Sequence, residues 1–208
     1  TCWGDNTNGQ KTEAPTTGTY TFLAGEGKHF AGIDSNGDVE IWGLYDDSFT
    51  GPFVDVATSN HNQCKINSSG GIECDSNSGN GDTYGETSTA PSSGTYDEVE
   101  CGSTHCCALD TTGLMTCWGR NHQNQATAQS GTWDKLSSKG TVNCGLKTNG
   151  DVDCWACYTS TQARCSSEPT SAVGYVDLEN GAEHVCAIDA NGAMDCWGAD
   201  SFGETVVP

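Results

Sequence analysis

The sequence of 208 residues predicts an all-β fold made of repeated, disulfide-bonded hairpins, and three observations lead to this prediction. Short runs of Val, Ile, Tyr and Trp alternate with clusters of Gly, Asn, Asp and Ser, as strands alternate with turns. Only 34% of the residues are hydrophobic, and no window shows the 3.6-residue apolar stripe of a buried helix. Pairs of cysteines ten residues apart recur along the chain, each pair on either side of a turn sequence.

The clearest hairpin runs from Gly102 to Gly119. Cys107 and Cys117 are equidistant from the turn, in which Asp110 begins the turn and Gly113 supplies the positive φ. Equidistant residues face each other across an antiparallel pair, at a Cβ separation that suits a disulfide. We therefore predict a disulfide across this hairpin, worth roughly 2–3 kcal/mol by loop closure.

Four further stretches repeat this hairpin in the same order, and each of the five copies follows an aromatic residue that marks a first strand. One repeat therefore contains three strands. The five first-strand aromatic residues are Tyr20, Phe53, Tyr96, Trp133 and Tyr175. The repeats span roughly residues 16–43, 51–76, 92–119, 129–156 and 172–198, with overlapping end segments 1–15 and 199–208 in a single domain of residues 1–208.

A three-stranded unit of this size cannot bury its own faces, so the copies must stack on each other. The Trp of successive copies are 33 to 43 residues apart when Asp75 takes the place of the Trp missing from the second copy. Repeats near this length suit radial stacking in a propeller. We therefore predict a β-propeller of about five three-stranded blades, with six blades as the alternative.

Thirteen cysteines in a chain of this length indicate an oxidising compartment. We predict hairpin disulfides for the four pairs with ten-residue spacing, which are Cys64–Cys74, Cys107–Cys117, Cys144–Cys154 and Cys186–Cys196. Ala31 and Ile41 hold the same two positions in the first copy, so an apolar pair replaces the bond there. A zinc site would need paired Cys-x-x-Cys motifs, and Cys154 and Cys157 form only a single one. We expect neither a metal nor a cofactor.

Five cysteines remain outside the ten-residue pairs. A disulfide between Cys157 and Cys165 would close a loop, and one between Cys101 and Cys106 would bridge adjacent strands. Cys2 is then left over, which in a secreted protein indicates an intermolecular bond or a free thiol. A chain boundary that removed the partner of Cys2 explains it equally well.

The two ends of the chain occupy the same phase of the repeat. Cys2-Trp3-Gly4 corresponds to Cys196-Trp197-Gly198, so the chain carries six strands of this type but five copies of the strands before them. An unpaired strand exposes backbone N–H and C=O groups that can pair with another chain. Pairing of this strand with the sheet edge of a neighbouring copy would be β-augmentation. Repeated head-to-tail without closure, such donation gives a filament. We therefore assign Cys2 and Trp3 to an intermolecular junction.

The net charge of −20 disfavours nucleic acid and anionic membranes as partners. The sequence has no run of 18 apolar residues and no signal peptide, so we expect a mature, secreted, extracellular chain without membrane insertion. Asn67-Ser-Ser69 is an N-glycosylation sequon in a predicted turn, where the acceptor would be accessible.

The candidate catalytic residues have structural interpretations. His29, His61, His105 and His184 recur with the repeat, whereas catalytic residues are rarely copied into every blade. We therefore expect these histidines to form hydrogen bonds between neighbouring blades, and we predict that the protein is not an enzyme. The acidic turn that begins at Asp34 lacks the later Glu of a calcium loop, so a simple turn is preferred to a calcium site.

The pattern His-x-Cys-Ala-Leu-Asp-x-x-Gly followed by Cys-Trp-Gly-x-Asn resembles the repeat of the regulator of chromosome condensation family. Its closest matches are residues 2–10 and 117–121. The resemblance covers nearly the whole chain and implies a β-propeller, although members of the family usually have seven blades. We do not carry over the nucleotide-exchange and chromatin roles, which belong to nuclear members. A secreted branch that inhibits β-lactamases shows that the fold can serve as a binding surface.

These observations favour a non-enzymatic extracellular structural protein that associates with copies of itself through its surplus strand and Cys2. The alternative is a monomeric secreted recognition module, a lectin or protein inhibitor, that binds a glycan or protein ligand through the loops on one propeller face. Tyr45 and Phe202, in loops after the Trp-Gly strands, would then contact the ligand.

Overall fold

The computed structural model describes residues 2, 6–76, 82–157, 163–169, 174–201 and 203–207. These residues form sixteen β-strands and one short helix. Their bounds are β1 (Tyr20–Glu26), β2 (His29–Asp34), β3 (Val39–Gly43), β4 (Asp47–Phe49), β5 (Phe53–Thr58), β6 (Asn62–Asn67), β7 (Ile72–Ser76), β8 (Tyr96–Cys101), β9 (His105–Asp110), β10 (Met115–Gly119), β11 (Trp133–Lys139), β12 (Val142–Lys147), β13 (Val152–Trp155), α1 (Ala163–Ser166), β14 (Tyr175–Asn180), β15 (His184–Asp189) and β16 (Met194–Gly198).

The strands form five antiparallel sheets, and within each sheet the strands lie in chain order. We number these sheets as blades 1 (β1–β4), 2 (β5–β7), 3 (β8–β10), 4 (β11–β13) and 5 (β14–β16). The predicted all-β propeller with disulfide-bonded hairpins is confirmed. Blade 1 differs from the prediction of three strands, because β4 pairs with β3 as a fourth strand. The division into one domain with end segments at residues 1–15 and 199–208 stays a prediction.

The hairpin turns follow the chemistry of their residues. Oδ1 of Asp110 accepts hydrogen bonds from the backbone N–H groups of Thr112 (2.8 Å) and Leu114 (3.1 Å). Gly113 has φ 78°, a conformation that costs glycine little. A Cβ at Gly113 would also lie 2.7 Å from the backbone oxygen of Trp133, in the next blade. The glycine therefore serves both the turn and the close approach of consecutive blades.

The first strands of the blades surround a central cavity. β1 contacts β5, β5 contacts β8, β8 contacts β11, and β11 contacts β14. The cavity has a volume of about 800 Å³ and is lined by the first strands of all five blades. In all five blades the first strand carries a register shift just after its aromatic residue, for example between Phe53 and Asp55.

Four apolar clusters join consecutive blades. They lie between blades 1 and 2, 2 and 3, 3 and 4, and 4 and 5. Among the described residues, no such cluster joins blade 5 back to blade 1. Within the described part of the chain, the five blades therefore form an arc in which blade 5 does not pack on blade 1 through an apolar cluster, while Glu26 of blade 1 forms an ion pair with Lys139 of blade 4. The described part of the chain contains no helix that is long and apolar enough to cross a membrane.

Candidate functional site

The structure places the twelve cysteines other than Cys2 in disulfides. The bonds are Cys64–Cys74, Cys101–Cys106, Cys107–Cys117, Cys144–Cys154, Cys157–Cys165 and Cys186–Cys196. The four pairs with ten-residue spacing are directly opposite each other in their hairpins, with Cα atoms 4.0 to 4.1 Å apart. Each of these bonds therefore ties the second strand of a blade to the third.

Cys2 is exposed and its thiol is free. Trp3, which was assigned with Cys2 to an intermolecular junction, lies outside the described residues, as do Thr1, Gly4 and Asp5. The segment that follows is anchored on blade 1. Oδ1 of Asn6 accepts a hydrogen bond from the N–H of Lys11 (2.8 Å), and the carbonyl oxygen of Gln10 accepts one from Nε1 of Trp42 (3.1 Å). The free thiol therefore lies next to a loop that packs against the first blade.

The predicted glycosylation residue, Asn67, is half-buried in its hairpin turn. Its Oδ1 accepts hydrogen bonds from the N–H groups of Ser69 (3.0 Å) and Gly71 (3.1 Å). Its Nδ2 donates a hydrogen bond to Glu73 (3.1 Å). Glycosylation would replace one of the two hydrogens on Nδ2 and leave one N–H of Asn67 to donate to Glu73, and glycosylation at this residue stays a prediction.

Of the four recurring histidines, His61 and His105 make the expected hydrogen bonds between blades, whereas His29 is buried with neither ring nitrogen in a hydrogen bond. Nε2 of His105 in blade 3 is 2.7 Å from Oδ1 of Asn143 in blade 4. Nδ1 of His61 in blade 2 is 3.2 Å from the hydroxyl of Tyr45, which lies in the loop between β3 and β4 of blade 1. Burial lowers the pKa of His29 and of His105, so both are neutral at pH 7. These contacts are typical of structural histidines. They also hold Tyr45 half-buried, so this residue is not the exposed binding aromatic that the alternative function required.

Two clusters resemble metal sites by composition. The sulfurs of Cys64, Cys101 and Cys106 lie within 4.8 Å of one another, but all three belong to disulfides and cannot serve as thiolate ligands. Oδ1 of Asp34 accepts hydrogen bonds from the N–H groups of Asn36 (2.8 Å) and Asp38 (2.9 Å). Asp34 therefore makes the same turn contacts as Asp110.

Carboxylates concentrate in the central cavity, a feature that the sequence analysis missed. Burial raises the pKa of Asp55 in blade 2 to about 6 and that of Glu98 in blade 3 to about 8. Burial also raises the pKa of Glu100 well above its ordinary value. Lys135 in blade 4 pairs with Asp177. The sequence repeat could have revealed these carboxylates, because Asp55, Glu98 and Asp177 each stand two residues after the first-strand aromatic residue of their blade.

These cavity carboxylates also connect the blades. Oδ1 of Asp55 accepts a hydrogen bond from its neighbour Val56 (2.9 Å), and Oδ2 accepts one from the N–H of Val99 in blade 3 (2.7 Å). Oε1 of Glu98 in turn accepts a hydrogen bond from the N–H of Leu136 in blade 4 (2.9 Å). The carboxylate of one blade therefore binds the backbone of the next.

Comparison with known proteins supports the fold. Residues 97–125, which span most of blade 3 and the loop after it, match the profile of the Regulator of chromosome condensation (RCC1) repeat. The predicted resemblance to this repeat is confirmed. No curated protein sequence matches the chain significantly.

Solved structures similar to the chain include two ectodomains of plant receptor kinases. The entire ectodomain of the Physcomitrella patens receptor kinase CR4 is 22% identical with a TM-score of 0.71, over 89% of this chain and 52% of that one. The CRINKLY WD40 ectodomain of the Arabidopsis thaliana receptor kinase ACR4 is 18% identical with a TM-score of 0.74, over 93% of this chain and 69% of that one. Prp20p of Saccharomyces cerevisiae is 13% identical with a TM-score of 0.66, over 86% of this chain and 58% of that one. The chain thus spans about half of the CR4 ectodomain.

Proposed function

We propose that this chain, which carries a regulator of chromosome condensation repeat on a disulfide-bonded β-propeller, is a non-enzymatic extracellular protein that associates with copies of itself. Its six disulfides and its likeness to receptor ectodomains support a secreted location. The net charge of −20 argues against nucleic acid or an anionic membrane as its partner. The proposed role is structural, as a building block in a head-to-tail assembly or filament.

The observation that carries this proposal is the free, exposed thiol of Cys2 in a chain whose other cysteines are all bonded. In an oxidising compartment an exposed thiol is readily oxidised to a disulfide, and Cys2 of a second copy is one source of the partner thiol. In the repeat, residues 2–4 hold the phase of the outer strand of a blade. Pairing of this strand with the edge of a neighbouring copy would bring two chains together, and a disulfide through Cys2 would then lock the junction.

The test is electrophoresis of the native protein with and without a thiol reductant, together with the variant Cys2→Ser. We expect a covalent dimer, since the one free thiol of each chain can form one intermolecular disulfide; the dimer should become monomer on reduction and be absent from Cys2→Ser. Asn8→Ser is the matched control, since it changes the same loop and leaves the thiol in place. A single monomer band for the wild-type protein under both conditions would contradict the proposal.

The alternative function, a monomeric recognition module, is favoured by the open central cavity of about 800 Å³. Its carboxylates and the loops around it would form a binding face for a glycan or for a basic protein segment. Phe202, the second aromatic proposed for such a face, lies outside the described residues. Discrete monomers in negative-stain images that bind a glycan or a protein would favour this alternative over assembly.

A further inference from the structure

Two disulfides that belong to neighbouring blades touch each other in the core between blades 2 and 3. Cys64–Cys74 joins the second and third strands of blade 2, and Cys101–Cys106 joins the first and second strands of blade 3. The sulfurs of Cys64 and Cys106 are 3.8 Å apart, and the sulfur of Cys101 lies within 4.8 Å of both. Because all four sulfurs are bonded, none carries a hydrogen, and the two disulfides are in van der Waals contact.

Contact between sulfurs is the geometry from which thiol–disulfide exchange starts. In this reaction a thiolate attacks one sulfur of a disulfide and displaces the other sulfur as a new thiolate. If the Cys64–Cys74 bond is opened at Cys74, the Cys64 thiolate is already beside the sulfur of Cys106. Rotation about the Cα–Cβ bond of Cys64 can then bring its sulfur into line behind the Cys106–Cys101 bond.

Burial decides which of the four sulfurs an external thiol can reach. Cys64 and Cys106 are fully buried, and Cys101 is 2% exposed. Cys74 lies on the third strand of blade 2 and is half-buried, so part of its surface is in contact with solvent. Attack from solvent therefore takes place at Cys74, and Cys64 is the sulfur that leaves.

The surroundings of the sulfurs favour a second exchange after the first. Cys64 lies with Ile66 and Val99 in the apolar cluster between blades 2 and 3, where a thiolate is poorly solvated. Cys101 belongs to the same cluster, but it also lines the central cavity. Transfer of the free thiol from Cys64 to Cys101 therefore moves it from an apolar core to the wall of a polar cavity.

We propose that Cys74 is a site of modification by a small monothiol such as glutathione, and that this modification moves a disulfide to the interface of blades 2 and 3. The external thiolate bonds to the sulfur of Cys74 and displaces the Cys64 thiolate. The Cys64 thiolate bonds to the sulfur of Cys106 and displaces the Cys101 thiolate, which takes a proton from water. Two disulfides and one thiol give two disulfides and one thiol, so the sequence needs no oxidant.

The exchange changes which parts of the fold are covalently joined. Cys64–Cys74 and Cys101–Cys106 each link strands of one sheet, whereas a Cys64–Cys106 bond links blade 2 to blade 3. The first strands of these two blades are in contact and form adjacent parts of the cavity wall. The thiol content of the surroundings therefore sets whether this part of the wall is cross-linked.

The experiment uses the variant Cys74→Ser, which frees Cys64 without any external thiol. All proteins carry Cys2→Ser, so that no other thiol is present and the result does not depend on the proposed self-association. Each folded protein is incubated at about pH 8, quenched with acid, denatured and labelled with N-ethylmaleimide. Mass spectrometry of unreduced peptides then locates the label and the remaining disulfides, and thermal melting shows whether each variant is folded.

The matched control is Cys117→Ser, which frees Cys107 in the neighbouring hairpin. Cys107 is as deeply buried as Cys64, and its bond has the same ten-residue spacing. Its sulfur faces the carbonyl oxygen of Gln125 (3.9 Å) instead of another disulfide. The control therefore has a buried free thiol without an exchange partner in contact with it.

In Cys74→Ser we expect about ten-fold more label on Cys101 than on Cys64, together with a Cys64–Cys106 cross-link. In the control variant, the label should stay on Cys107. Equal or greater labelling of Cys64, with the Cys101–Cys106 bond intact, would overturn the inference.

A second measurement covers the case in which Cys74→Ser does not fold. The Cys2→Ser parent, with every disulfide in place, is incubated with glutathione and treated in the same way. We expect glutathione on Cys74 and the maleimide label on Cys101. No glutathione on Cys74 would refute the modification site, and glutathione on Cys74 with the label on Cys64 would refute the second exchange.

Discussion

At the scale of single residues, blade 2 differs from the other blades because it lacks their Trp, and the neighbouring side chains differ with it. Asp75 stands where other blades carry a Trp such as Trp42, which removes a large apolar side chain from the blade face. Lys65 fills the space, fully buried and paired with Asp75. Its Nζ lies 3.7 Å from the ring centroid of Phe49 in β4 and 5.5 Å from that of Phe53. The positive charge of the Lys65 ammonium group is therefore stabilised by one carboxylate and by the faces of two aromatic rings.

We predict that Asp75→Ala lowers the free energy of unfolding by about 1–3 kcal/mol, because it leaves the buried ammonium group of Lys65 without its anion. The double variant Lys65→Met with Asp75→Ala should recover most of this loss, since it removes the charge and keeps the volume. Urea denaturation with the disulfides intact measures both effects.

The matched control for this pair is Asp153→Ala, since Lys147 and Asp153 form an ion pair that is exposed to solvent. Its loss should cost no more than about 1 kcal/mol. If Asp75→Ala cost no more than Asp153→Ala, the buried pair would not stabilise blade 2.

At the scale of the element, each hairpin is specified by its turn and by the pair that faces across its strands. Cys144 lies opposite Cys154, as Ala31 lies opposite Ile41 in blade 1. Blade 1 has no disulfide at this position and still forms the same register. The apolar pair therefore supports the hairpin through packing, while the disulfide adds restriction of the unfolded chain.

We predict that the double variant Cys144→Ala with Cys154→Ile loses less stability than the double variant in which both cysteines become alanine. Loss of the bond itself removes roughly 3 kcal/mol in either case. The larger isoleucine side chain introduced by Cys154→Ile restores about 1 kcal/mol of apolar burial against blade 5. Thermal melting of the two variants under identical conditions gives the difference, and equal melting temperatures would show that packing at this position contributes nothing.

The hairpins were predictable from sequence because their determinants are local. Asp110, Gly113 and the two flanking cysteines fix the turn and the register within a dozen residues. Strand β4 was not predictable in this way, because Asp47–Phe49 follows a loop without a turn signature, and Phe49 packs on Lys65 of the next blade. A contact between a lysine and an aromatic ring in different blades leaves no local sign in the sequence.

At the scale of the whole molecule, the site features arise from the stacking of blades rather than from any one repeat. Asp55, Glu98 and Glu100 acquire raised pKa values only because the first strands converge on one cavity. The repeat predicted that blades would stack, but the cavity and the contacts between blades depend on the assembled geometry.

The convergence of carboxylates makes stability depend on pH in a defined direction. Glu98 faces Asp55, Asp97 and Lys135, and burial raises its pKa to about 8 in the folded protein, from the ordinary value of 4.5. Between these two pH values the folded state binds a proton that the unfolded state has lost, so stability falls as pH rises. Between about pH 6.5 and about pH 7.5 the histidines of the unfolded chain lose protons that the folded His29 and His105 do not bind, because burial lowers their pKa values, so these two residues offset part of the fall. Above about pH 7.5 both are neutral in both states.

We predict that the free energy of unfolding falls between about pH 6.5 and about pH 8.5 and that Glu98→Gln removes about 1–2 kcal/mol of this fall. The glutamine oxygen can still accept the N–H of Leu136, so the variant removes the titration and keeps the hydrogen bond. Asp110→Asn is the control: hydrogen bonds from Thr112 and the backbone lower the pKa of Asp110, which stays ionised throughout this range. Urea denaturation at the two pH values measures the slope for each protein. If the free energy of unfolding of Glu98→Gln changed with pH as much as that of the wild-type protein, Glu98 would already be ionised at the lower pH. Burial would then not keep this carboxyl group protonated at neutral pH.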